Sequence, residues 1–153
     1  MNVFIYESCI EIQAGRDRVW PLLCGAVMTL PPPLLFRLGV PRPIECRMGA
    51  DGETRECVNS RGRVRQRILE RRAPELLTFE RIGDTVGLQC WLRSMKDSFR
   101  LEEIAGGMRL TRRSELEPWF WALPFLWIAL PAIHRYVNRN FKAIAEQGPE
   151  ADI

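Results

Sequence analysis

The chain has 153 residues, of which 46% are hydrophobic and 27% charged, and its formal net charge is +3. That length suits one domain with a real core that needs no disulfides or metals, and the composition is that of a soluble globular protein. The basic residues are twenty arginines against only Lys96 and Lys142, a bias that genome base composition produces as readily as anion binding does. The five cysteines (Cys9, Cys24, Cys46, Cys57, Cys90) form no CxxC pair, and one histidine cannot complete a Cys/His zinc site. No metal and no cofactor is therefore expected. Reduced thiols and a cytoplasmic protein are the corresponding expectation, since the N-terminal stretch has neither a basic leader nor a cleavage pattern.

Residues 3–14 alternate. Phe4, Tyr6, Ser8, Ile10 and Ile12 share one face while Glu7, Glu11 and Gln13 share the other, the period of a half-buried strand. Gly15 ends it, and Asp17 opens a short helix with Val19, Trp20, Leu22 and Leu23 as its apolar set and Pro21 in its first turn. Residues 30–43, LPPPLLFRLGVPRP, are too rich in proline for a strand and predict a second short helix near residues 34–38.

A run of antiparallel strands follows. Residues 44–49 and 53–60 flank the Asp51-Gly52 hairpin signal, Arg61-Gly62 turns into 63–72, and Ala73-Pro74-Glu75 turns into 76–82. Residues 83–87 read as a loop, 88–93 as a further stretch of pairing, and 95–104 with 108–116 as a hairpin about Gly106-Gly107. After Pro118 the period changes. Leu130, Ile133, Val137, Phe141 and Ile144 recur every three or four residues, with Arg135, Asn138, Arg139, Lys142 and Glu146 on the other faces, which is an amphipathic helix. Pro131 either opens that helix or kinks a longer one starting near Trp119. No charge occurs between Pro118 and Ile133, but the run is interrupted by prolines and is shorter than the roughly twenty residues a spanning helix needs.

The expected fold class is α+β: a curved antiparallel sheet of about six to seven strands wrapped around one long C-terminal helix, with two short helices after the first strand. Residues 1–147 form a single domain in this reading and residues 148–153 a flexible tail. A sheet that long must curl, and its concave apolar face needs the helix as cover.

The chain resembles the START-like (SRPBCC) superfamily, which includes polyketide cyclase/dehydrase and lipid transport proteins. The resemblance is carried by the opening strand followed by AGRDRVWPLL, by GETRECVNSRGRVRQRILERRAPELLTFERI with its Gly-x-x-Arg strand, by the hairpin DSFRLEEIAGGMRLTRRSELEP, and by the terminal helix. It implies a helix-grip fold, with a cavity for apolar ligands between sheet and helix. Residues 119–130 are more hydrophobic than the resemblance implies at that position.

Inward polar residues are the informative ones, because a buried polar group needs a partner or a ligand. Period two places Asp97 with Phe99, and Arg112 and Ser114 with Leu110; it also places Gln66 with Val64, and Arg55 with Cys57. The expected cavity is lined by Arg55, Gln66, Phe79, Asp97, Phe99, Leu110, Arg112, Ser114 and Trp127, with Asp97 and Arg112 either a structural ion pair or a ligand-orienting one. Binding or transport of a small hydrophobic ligand is the leading expectation. One alternative is a cyclase or dehydratase using Asp97 or His134 as acid or base. Another is contact with a membrane surface through Trp119, Trp121 and Trp127 in residues 119–130. The stripe Arg61, Arg63, Arg65, Arg67 lacks interleaved aromatic residues and reads as a solvated face, so no nucleic acid is expected as partner.

Overall fold

The computed structural model describes residues 3–147; the expected tail at residues 148–153 lies outside them. In chain order the strands are β1 (Phe4–Ile12), β2 (Ala26–Val27), β3 (Pro43–Met48), β4 (Thr54–Asn59), β5 (Gly62–Arg72), β6 (Leu76–Asp84), β7 (Leu92–Ile104) and β8 (Gly107–Pro118). The helices are α1 (Arg16–Cys24) and α2 (Leu123–Gln147), with 3₁₀ turns at Leu34–Leu38, Leu88–Cys90 and Phe120–Ala122. All eight strands join one antiparallel sheet in the order β1-β8-β7-β6-β5-β4-β3-β2.

The strand count exceeds the expected six to seven because Ala26–Val27 pairs with Cys46 and Glu45 at the far edge. Two apolar residues between a glycine and a proline-rich segment are too short to show a period. Residues 88–93 do not simply extend the pairing: Leu88–Cys90 coils into a 3₁₀ turn and β7 starts at Leu92. Pro21 stands inside α1 rather than in its first turn, because the helix begins at Arg16 behind a Gly15 cap.

Two features curl the sheet. Register shifts interrupt β3–β4, β5–β6 and β7–β8, and each such irregularity bends its strand and sharpens the local twist. The β7–β8 hairpin turns on Gly106 at φ 86°, and a Cβ at Gly107 would lie 2.1 Å from the Ile12 carbonyl oxygen. Glycine there lets β8 begin tight against the end of β1.

The concave face then closes on α2. Phe79, Phe99, Leu101, Leu110, Val137 and Phe141 form the main core with Val19 and Leu23 of α1. Pro131 lies within α2, so the helix is continuous through it and the longer of the two expected helices is the one observed. The run Phe120–Gln147 is long and apolar enough, by length and composition, to cross a membrane, but Leu126, Leu130, Val137 and Phe141 are buried against the sheet. On the convex face Arg63 and Arg67 pair with Glu56 and Glu80.

Cys46 and Cys57, opposite one another on β3 and β4, are joined by a disulfide. This corrects the expectation of reduced thiols at those two positions: scattered spacing in sequence hides residues that register brings face to face.

Phe141→Ala is expected to lower stability by about 3–5 kcal/mol, as large-to-small changes of buried aromatic side chains do. Phe120→Ala, at a residue 85% exposed, is expected to change it by less than about 0.5 kcal/mol. Urea unfolding of the two variants beside the parent checks both.

Candidate ligand-binding site

Two rungs of the sheet set the site. Tyr6, Ser114, Asp97 and Phe79 stand opposite one another across β1, β8, β7 and β6; Ser8, Arg112 and Phe99 form the next rung. Opposed residues point to the same face, so the period-two reading of Asp97, Arg112 and Ser114 as inward residues fits this register. From α2, His134 and Asn138 project at i, i+4 spacing onto the same rungs.

These groups form one hydrogen-bonded chain, and its polarity follows from the carboxylate end. The Ser114 hydroxyl donates to Asp97 Oδ1. Its one hydrogen is then committed, so the 2.8 Å contact with His134 Nε2 has the ring N–H donating to Ser114 Oγ. Nδ1 is left as an acceptor and takes the Ser8 hydroxyl hydrogen at 2.7 Å. Asn138 Nδ2 donates in turn to Ser8 Oγ at 3.0 Å. The Tyr6 ring meets the imidazole edge-on at 4.7 Å. His134 is 1% exposed. Burial, and secondarily the positive charge of Arg112, hold the ring neutral, its pKa pushed down to about 2.

Arg112 reaches toward Asp97 at 3.9 Å and lies over the Phe99 ring at 5.3 Å. Arg55, 4% exposed, crosses from β4. Its Nη1 donates to Gln66 Oε1 at 2.9 Å and to Cys57 Sγ at 3.2 Å, and Nη2 donates to the Leu23 carbonyl at 3.2 Å. Its guanidinium sits 4.4 Å over Phe79 and 5.8 Å from the centre of Phe99. Burial, reinforced by the charge of Arg112 and opposed by Asp97, lowers the Arg55 pKa to about 10. Burial also lowers that of Arg112, again opposed by Asp97.

Between sheet and helix lies a cavity of about 340 Å³, lined by these polar groups at one end and by Val64, Leu92, Leu116, Phe125, Leu126 and Ile133 elsewhere. Leu38, 76% exposed, and Arg61 also line it, so it reaches the surface beside the 3₁₀ turn Leu34–Leu38. Helix α2 fastens that side of the cavity with a second i, i+4 pair. Asn140 Oδ1 accepts the backbone N–H groups of Thr29 and Leu30 at 2.7 and 2.9 Å, and Tyr136 donates its hydroxyl to the Leu30 carbonyl at 2.8 Å.

Of the expected lining residues, Arg55, Gln66, Asp97, Phe99, Arg112 and Ser114 face the cavity, as does His134. Phe79 and Leu110 are buried in the core behind it. Trp127 does not belong to the lining: it is 65% exposed and packs edge-on against Phe4. Apolar character marks a side chain as able to be buried, but α2 turns position 127 away from the sheet. Ser8, Asn138, Asn140 and Tyr136 are site residues the sequence reading did not single out. Asn138 belongs to the buried face of α2, not to the polar faces, and its spacing from His134 was the one available signal. Among the described residues no group of three or more His, Cys, Asp or Glu is placed to hold a metal ion.

The depressed His134 pKa has a stability consequence. The unfolded chain binds a proton at this histidine below about pH 6.5 and the folded one does not, so its contribution is complete above that pH and is lost on acidification. Between pH 7 and pH 5 the loss amounts to roughly 2 kcal/mol. His134→Gln is expected to lack this slope, in urea unfolding measured at pH 7, 6 and 5. In the parent, the imidazole ¹⁵N signals are expected to show the Nε2–H form without titrating across that range.

No family profile and no curated protein matches the sequence. Solved structures do. The Zhui aromatase/cyclase of a Streptomyces species is similar with a TM-score of 0.70 at 11% identity, over 95% of this chain and 95% of that one. A START superfamily protein from Mycobacterium smegmatis gives 0.67 at 8% identity, over 94% and 97%. The major latex-like protein 151 of Panax ginseng gives 0.65 at 14% identity, over 94% and 97%. The likeness spans nearly every element on both sides, and it is a likeness of architecture: this chain has the START-like, helix-grip fold.

Proposed function

We propose that residues 1–147 act as a single binding or carrier domain for a small hydrophobic molecule, lipid-like or aromatic, held between the sheet and α2. The observation that carries this reading is the cavity of about 340 Å³, largely apolar and ending on a few convergent polar groups, which is the usual make-up of a small-molecule site. The similar structures, a START superfamily protein and an aromatase/cyclase among them, support a hydrophobic-ligand site or a cyclase site in general.

Binding is favoured over acid–base catalysis by the state of the candidate catalytic groups. Both ring nitrogens of His134 are engaged by serines, and a ring held neutral down to about pH 2 is a poor base at neutral pH. Asp97 already accepts from Ser114 and faces Arg112. The test is titration of the purified protein with a fluorescent polyaromatic probe. Saturable binding is expected, and Ala129→Phe, which extends a side chain into the lining, is expected to weaken it at least about tenfold. Equal affinity in a folded Ala129→Phe variant, or no saturable binding to the parent, would count against the reading.

One further observation favours loading from a membrane surface. Phe120 and Trp121 on the Phe120–Ala122 turn and Trp127 and Ile128 near the start of α2 are exposed. Trp121 meets the Trp91 ring in a tilted contact at 4.8 Å, and Trp91 and Phe125 line the cavity. Amphipathic aromatic side chains of this kind suit the headgroup region of a bilayer. Co-sedimentation with phosphatidylcholine vesicles containing one-third phosphatidylglycerol is expected to fall several-fold in the double variant Phe120→Ser, Trp127→Ser. Unchanged sedimentation would remove this second reading.

A further inference from the structure

We infer that the molecule this cavity takes is an apolar monoacid, whose single carboxylate sits between Arg112 and Arg55 while its hydrocarbon body extends toward Leu116 and Leu126. The inference rests on the reading of the cavity as a ligand site and adds the chemistry of the ligand's polar end.

Charge at the inner end of the cavity does not balance. Arg55 and Arg112 both line it there, each with its guanidinium over the Phe99 ring. One carboxylate, Asp97, faces them, and it is 3.9 Å from Arg112 while also accepting from Ser114. Glu45, the other carboxylate among the lining residues, stands opposite Val58 on β4 and forms no ion pair with Arg55 among the described residues. His134 is neutral. Two largely buried guanidinium charges therefore share one counter-charge, a state that is unfavourable unless a further anion joins it.

The donors do not balance either. Arg112 carries five N–H groups and makes no hydrogen bond to any described residue; its Nε is fully buried without a partner. The Nε of Arg55 is likewise buried and unpartnered, although its other nitrogens are used. A planar carboxylate offers the acceptors that an unfilled guanidinium fork matches. A neutral alcohol or amide supplies an acceptor without the charge. The rest of the lining is mostly apolar, which suits a hydrocarbon body.

Isothermal titration with two matched pairs tests this: decanoate against decanol, and naphthoate against naphthalenemethanol. In at least one pair the acid is expected to bind about tenfold or more tightly than its alcohol, the usual penalty when charged donors are left unpaired. Arg112→Met is expected to abolish that preference while the alcohol still binds. Equal affinities within both pairs, or tighter binding of the alcohols, would overturn the monoacid inference and leave the cavity reading intact. A preference undiminished in Arg112→Met would overturn the assigned seat. If none of the four compounds binds, the cavity reading falls and this inference with it. Should Arg112→Met not fold, the acid-against-alcohol comparison in the parent decides alone.

Discussion

Helix α2 has to cover the concave face of a curled sheet, and everything else in the molecule depends on how it does so. Its apolar residues fill only part of the space: Val137 and Phe141 seal one end against Phe99 and Leu110, whereas Leu126 and Leu130 seal the other against Leu92 and Leu116. The same side chains form much of the wall of the cavity that remains between helix and sheet, with His134, Ser114, Asp97 and Arg112 as its polar part. A helix with a uniform leucine face would close the same sheet more tightly and leave no room. The interruption of the hydrophobic stripe by His134 gives that wall specific chemistry.

Polar side chains inside a core must be paid for by partners, and the partners here come from opposite ends of the chain. Ser8 and Ser114 hold His134 from two adjacent strands, while Asn140 and Tyr136 hold the segment before the prolines. The helix is fixed in rotation by these bonds as well as by packing. A rotation of one residue step, about 100° from the helical repeat, would bury Arg135 and expose His134. Such bonds define one orientation where hydrophobic contacts alone tolerate several.

Much of this was legible in the sequence. Alternation of Val64, Gln66 and Ile68 against Arg63, Arg65 and Arg67 read the β5 faces correctly, because a two-residue period survives even where bulges interrupt pairing. Asp97, Arg112 and Ser114 were legible for the same reason. What could not be read depends on register between distant segments. The hydrogen bond from Ser8 to His134 spans 126 residues, and Cys46 meets Cys57 only after a shift near Pro43 sets their rung. On α2 the misreadings were of another kind. Polarity suggests that Asn138 points outward and aromatic character that Trp127 points inward, yet orientation is fixed by position on the helix, not by side-chain character.

The sheet order carries a consequence for how the chain assembles. Among the described residues the first strand, β1, finds its one strand partner in β8 and its main helix contact in α2. During synthesis from the N-terminus, β1 has no place to go until nearly the whole chain exists. Residues 4–12 carry the alternating apolar pattern of an unpaired edge in the meantime, and contacts of such long sequence separation form slowly. Completion of the fold is therefore a late event that joins both ends of the chain, and the step that docks β1 is the same one that gives His134 its second serine.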